Sequence, residues 1–119
     1  MAKTIKNGFI DEDTTFPVNV WIPANNKHVR IFSITGFILN RVAAKDVILK
    51  IQIDIDGGLK DIAVIGIRGE AFQNIVVPIP HDLETDIGDG TAPAIKLIEL
   101  GASNSTDWDG FFAVIGEEV

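Results

Sequence analysis

Between residues 47 and 56 the chain alternates: Val47, Leu49, Ile51, Ile53 and Ile55 are apolar, and Lys50, Gln52, Asp54 and Asp56 are polar. Successive side chains of a strand point to opposite faces, so the segment predicts a half-buried β-strand with its isoleucine face inward. Gly57 and Gly58 then stop the pattern in a turn. Residues 59–67 supply the hairpin partner. A three-residue loop at 56–58 sets Ile55 opposite Leu59, Asp54 opposite Lys60 and Ile53 opposite Asp61, and the last pairing predicts a bulge near Asp61.

The rest of the chain reads in the same way. Residues 4–10 form a short edge strand leading into the acidic turn 11–13. Phe16, Val18, Val20 and Ile22 alternate, with Pro17 and Pro23 as brackets. Proline cannot donate to a ladder, which puts this strand at an edge. In that phase Trp21 points outward together with Pro17 and Asn19, so either a neighbouring loop covers it or these three are interface residues with Trp21 as the anchor. Residues 28–42 are apolar on both phases, and Gly36 is the expected bulge where the buried face changes. Further strands are expected at 72–80, 95–100 and 111–115, separated by polar loops at 81–93 and 101–110. A helical turn at 81–85 is the one candidate helix. About eight or nine short strands at this spacing predict an all-β chain, an antiparallel β-sandwich or barrel, as a single domain over 1–119.

Composition narrows the partners. The 119 residues carry seventeen acidic and ten basic side chains, a net charge of −7, which repels duplex nucleic acid and anionic membranes. No apolar run approaches the ~20 residues of a membrane span. The absence of cysteine excludes disulfides, thiol catalysis and cysteine-ligated zinc. The first residues are charged with no apolar stretch behind them, so no secretory signal is expected.

Candidate chemistry is sparse. Asp82, Glu84, Asp86 and Asp89 gather carboxylates in one loop, as a hard cation such as calcium requires, with Asp107 and Asp109 as further candidates; a solvated acidic loop is the plainer account. Residues 52–57 resemble the front of an EF-hand loop, but its required glutamate falls on Ala63. His28 and His81 are isolated, and neither Ser33, Ser103 nor Ser105 sits in a Gly-x-Ser-x-Gly elbow, so no catalytic centre and no cofactor are expected. Asn104-Ser105-Thr106 is a bare glycosylation sequon. Trp108 is expected to tuck against the end of the sandwich.

The closing segment Ser105-Thr-Asp-Trp-Asp-Gly-Phe-Phe-Ala-Val-Ile115 resembles the last strand of jelly-roll trimers of the tumour-necrosis-factor and C1q type. The rhythm of Phe32-Ser-Ile-Thr-Gly-Phe-Ile-Leu through Ile53-Asp-Ile-Asp-Gly-Gly58 is similar to small β-sandwich proteins of bacteriophage virions, head-decoration (cement) proteins and tail-fibre tips. That resemblance implies an antiparallel β-sandwich of the jelly-roll kind and a non-enzymatic structural protein that oligomerises, with a trimer favoured. It also implies a major capsid or tail protein as partner, and a place in a virion after synthesis in a host cytoplasm. The alternative is a module binding calcium or carbohydrate through loops 81–93 and 101–110.

Overall fold

The computed structural model of the chain describes residues 3–10, 14, 16–41, 46–81, 83–100 and 108–119. The expected turn at 11–13, the candidate ligands Asp82 and Asp107, and the sequon lie outside the described residues. Eight strands are present: β1 (Thr4–Ile10), β2 (Val18–Trp21), β3 (Val29–Asn40), β4 (Asp46–Ile55), β5 (Gly58–Arg68), β6 (Ala71–Val77), β7 (Ile95–Leu100) and β8 (Trp108–Glu118). They form two four-stranded antiparallel sheets, ordered β1-β8-β3-β6 and β2-β7-β4-β5. The chain is thus an all-β, two-sheet sandwich, and no helix occurs among the described residues, including those near 81–85. First pairs with last throughout: β1 with β8, β2 with β7, β3 with β6 and β4 with β5.

The β4–β5 hairpin shows how local chemistry sets register. Its loop is the two residues Asp56-Gly57, not three, because both hold positive φ (51° and 89°) and Ile55 pairs with Gly58. Two central residues with positive φ match the right-handed twist of the flanking strands, and Asp-Gly is a favoured pair for it. Asp54 therefore faces Leu59 and Ile53 faces Lys60, one step from the sequence expectation. The expected bulge is present: Gln52 pairs with Asp61 and Ile51 with Ala63, leaving Ile62 as the extra residue. Val47, Leu49, Ile51 and Ile53 are buried, with Ile55 packed at the margin.

Two further bulges decide which side chains are inside. In β3 the register shifts between Ile31 and Ser33, so Phe32 is the extra residue and the phase changes there instead of at Gly36. Val29 and Ile31 are buried before it, Ile34 and Ile38 after it. Gly36 answers a different demand: a Cβ at this position would lie 2.0 Å from the Phe111 carbonyl oxygen. In β2 the register shifts between Asn19 and Trp21. The slip turns Trp21 inward, 3% exposed, with its indole Nε1–H donating to Glu118 Oε1 at 3.1 Å. Trp21 is therefore a core residue and not the outward interface anchor that unbroken alternation predicted. Pro17 and Asn19 are exposed, as expected.

Candidate functional site

The outer faces of the two sheets differ. Outward positions of β2-β7-β4-β5 mix Lys50, Gln52, Asp61 and Lys96 with Ile48, Ile98 and the exposed Val64. Asp61 accepts a hydrogen bond from Gln52 at 2.8 Å and pairs with Lys50 at 3.3 Å. The outer face of β1-β8-β3-β6 is built from phenylalanine. Phe9, Phe111 and Phe37 stand directly across from one another on β1, β8 and β3. Phe72 on β6 completes the row from a diagonal position beside Leu39. Ring centroids are 5.1 Å apart for Phe9–Phe111, 6.0 Å for Phe111–Phe37 and 5.6 Å for Phe37–Phe72. These separations are those of interacting aromatic pairs.

The bulge at Phe32 creates this face. After it, Ser33, Thr35, Phe37 and Leu39 turn outward, while Ile34 and Ile38 fill the core. Ile5 and Val76 extend the apolar surface; Phe9 and Val76 are each 75% exposed. The charge at its margin is internally paired, Arg41 Nε lying 3.5 Å from Asp109 Oδ2. Isolated exposed apolar residues are ordinary, but a contiguous set across four strands is characteristic of an interaction surface.

The acidic loop proposed for calcium does other work. Residues 83–88 run back along the start of β3. Ile31 donates its N–H to the Leu83 carbonyl, Thr85 to the Val29 carbonyl, and Gly88 to the Lys27 carbonyl. The Thr85 hydroxyl oxygen in turn accepts from the Val29 N–H at 2.9 Å. Glu84 pairs with Arg30 at 2.8 Å and with His28 at 3.2 Å, while Arg30 also reaches Glu117 at 2.9 Å. The Arg30 hydrogen bond is the main reason that the Glu84 carboxyl sits below its ordinary pKa. Asp86 Oδ2 accepts from the Gly57 N–H at 2.6 Å and so braces the β4–β5 turn. Its nearness, after burial, helps push the Asp54 carboxyl up. The three described carboxylates thus point to three different partners, and among the described residues no group of three potential ligands converges. The EF-hand-like stretch is a strand and a turn.

Asp89 closes the loop on itself. Its Oδ1 accepts from the Thr91 N–H (2.8 Å), the Ala92 N–H (2.9 Å) and the Thr91 hydroxyl (2.9 Å). The Ala92 and Thr91 amide bonds, in that order, lower its pKa from 3.8 to about 2. A carboxyl with a depressed folded value stabilises its turn above the unfolded value and loses that contribution as pH falls through the folded one. The Thr91 and Ala92 amide resonances are therefore expected to titrate with a midpoint near 2; a midpoint at the ordinary 3.8 would show the turn to be absent.

No family model matches this chain, and no curated protein does. Among solved structures, a chain from the structure of infectious bursal disease virus, Gx strain, superposes with a TM-score of 0.43 at 10% identity, over 95% of this chain and 32% of that one. The present chain spans about a third of that neighbour's length.

Of the expected site residues, the structure keeps Pro17 and Asn19 at the surface, buries Trp21, and disperses Glu84, Asp86 and Asp89. Asp109 lies beside Arg41 at the rim of the phenylalanine face. Trp108 tucks into the end of the sandwich as expected, with its Nε1–H donating to Glu99 Oε2 at 2.7 Å. Phe9, Phe72 and Val76 were not singled out from the sequence. Their signal was present as apolar residues in the outward phase, Ile5 with Phe9 and Phe72 with Val76, each four apart.

Proposed function

We propose that this chain is a non-enzymatic structural protein of a virus particle, of the kind that decorates a bacteriophage head. It docks through its phenylalanine face onto an apolar surface of the particle's shell protein. The observation that carries this reading is the Phe9–Phe111–Phe37–Phe72 row on the outer face of one sheet, set against the mixed polar and aliphatic outer face of the other. Aromatic residues concentrated in a low-charge patch are the usual anchors of stable interfaces. The remaining surface is acidic, with net charge −7, which favours a protein partner over nucleic acid. We read the first-with-last pairing of strands as a jelly roll. The reading places the protein in the virion after synthesis in a host cytoplasm and assigns it no cofactor. The buried Trp21 cannot be the anchor of the trimer expected from the sequence, so that self-association would use another surface.

Phe9→Asp combined with Val76→Asp tests the docking face, since both side chains are mostly exposed and the fold should survive. Burial of one such side chain stabilises an interface by about 1.5–3 kcal/mol, so the double variant should bind particles at least ~100-fold more weakly. The measurement is co-sedimentation of tagged protein with particles from a producing host. A wild-type chain that stays out of the particle fraction would overturn the proposal.

A further inference from the structure

The four edge strands are not equally guarded. β1 carries Lys6 in mid-strand, and the short β2 is flanked by Pro17 and Pro23. Lysine, proline and brevity are the usual devices that stop an edge from pairing with another chain. β5 has 11 residues, with β4 on one side and an open edge on the other. Residues 62–67 of it, Ile-Ala-Val-Ile-Gly-Ile, include neither charge nor proline. A free edge of this length presents a row of unpaired backbone N–H and C=O groups, and what satisfies such a row is another extended strand.

The charges at its two ends indicate which strand. Lys60 and Asp61 precede the apolar run, and Arg68 and Glu70 follow it. Antiparallel pairing of β5 with its own copy, about a twofold axis at Ile65, sets Lys60 of one copy opposite Glu70 of the other. Asp61 then faces Gly69, one position from Arg68. The Lys60–Glu70 contact occurs twice and joins opposite signs, and with Asp61 and Arg68 the segment is neutral in a chain of net charge −7. The Arg68 side chain is 94% exposed and only loosely held, 4.0 Å from Asp46. β6 is also an open edge, but the same operation there sets Glu70 against Pro78 and matches no charges. Between β5 and β6 lies an open trough of about 470 Å³, lined by Ile62, Ala63, Ile65, Ile75 and Val77 among others. It can take the inward side chains of an added strand. We infer that the chain forms a twofold homodimer by β5–β5 pairing, which joins two β2-β7-β4-β5 sheets into one continuous sheet. This surface is separate from the phenylalanine face and does not rest on the virion reading.

Light scattering on the full chain at micromolar concentration should report twice the 12.9 kDa chain mass. Val64→Lys places an ammonium from each copy near the twofold axis; Val64 is 60% exposed, so the monomer fold should persist by circular dichroism while the mass halves. Lys60→Glu alone should weaken dimerisation at least about tenfold by setting it against Glu70. Adding Glu70→Lys in the same chain should restore it to within about threefold. A single-chain mass for the wild type, a dimer that withstands Val64→Lys or Lys60→Glu, or a charge swap that restores nothing would each overturn the inference.

Discussion

Trp108→Ala is expected to cost about 3–5 kcal/mol of folding stability, the range for truncating a fully buried tryptophan. Trp108 is 0% exposed and the largest of the fully buried side chains. Its ring lies 5.9 Å from Phe16 and close against Gly110, where an added Cβ would come within 3.0 Å of the indole. At this end of the sandwich it ties the first residue of β8 to β7 through the bond to Glu99. Truncation would open a cavity in a close-packed core and also remove that bond. Trp108→Phe keeps most of the volume and loses the donor to a charged acceptor, so it should cost about 1.5–3 kcal/mol. Urea unfolding of the three proteins checks both values. Near-equal losses for Ala and Phe would mean that the hydrogen bond, not packing, dominates the site.

Gly36→Ala is expected to destabilise by about 3 kcal/mol or more, although it adds one methyl group. The new Cβ would meet the Phe111 carbonyl oxygen at 2.0 Å and the Phe112 Cα at 3.1 Å. These are backbone atoms of β8, held on both sides by β1 and β3, so they cannot yield as a side-chain tip would. Relief requires β3 and β8 to separate, which disturbs the outward row containing Phe37 and Phe111. The control is Gly66→Ala on β5, where a Cβ meets nothing within 4 Å. With a compatible backbone, that change should be neutral or stabilising by up to about 1 kcal/mol through the unfolded state. Thermal unfolding of the two variants side by side gives the comparison. Equal midpoints would remove the argument from close approach at Gly36.

Much of the fold was legible in short stretches of sequence. The alternation from Val47 to Ile55 named the buried face of β4, and Pro17 and Pro23 marked β2 as an edge, because these effects act within one strand. Asp56-Gly57 marked the hairpin for the same reason, although counting Gly58 into the loop displaced the register by one residue. The candidate site was only partly legible. Apolar residues on both phases of 28–42 put apolar side chains on each face of that strand, without showing which residues formed a continuous surface.

What alternation alone could not decide was phase. A bulge is a relation between two strands: whether Val20, Phe32 or Ile62 is the extra residue depends on the register of β7, β8 and β4. One such slip turned Trp21 from the surface into the core, and another gathered Phe37 with Phe9 and Phe111 from strands far apart in sequence. The acidic loop followed the same rule. Its carboxylates suggested a cation until folding brought Arg30, His28 and the Gly57 amide within reach, and those partners come from other strands. The sequence by itself determined strand class, strand edges and the turn at Asp56, because each depends on neighbours within a few residues. Only the tertiary structure decided the sides on which Trp21 and the phenylalanines lie, because sidedness downstream of a bulge is set by the partner strand.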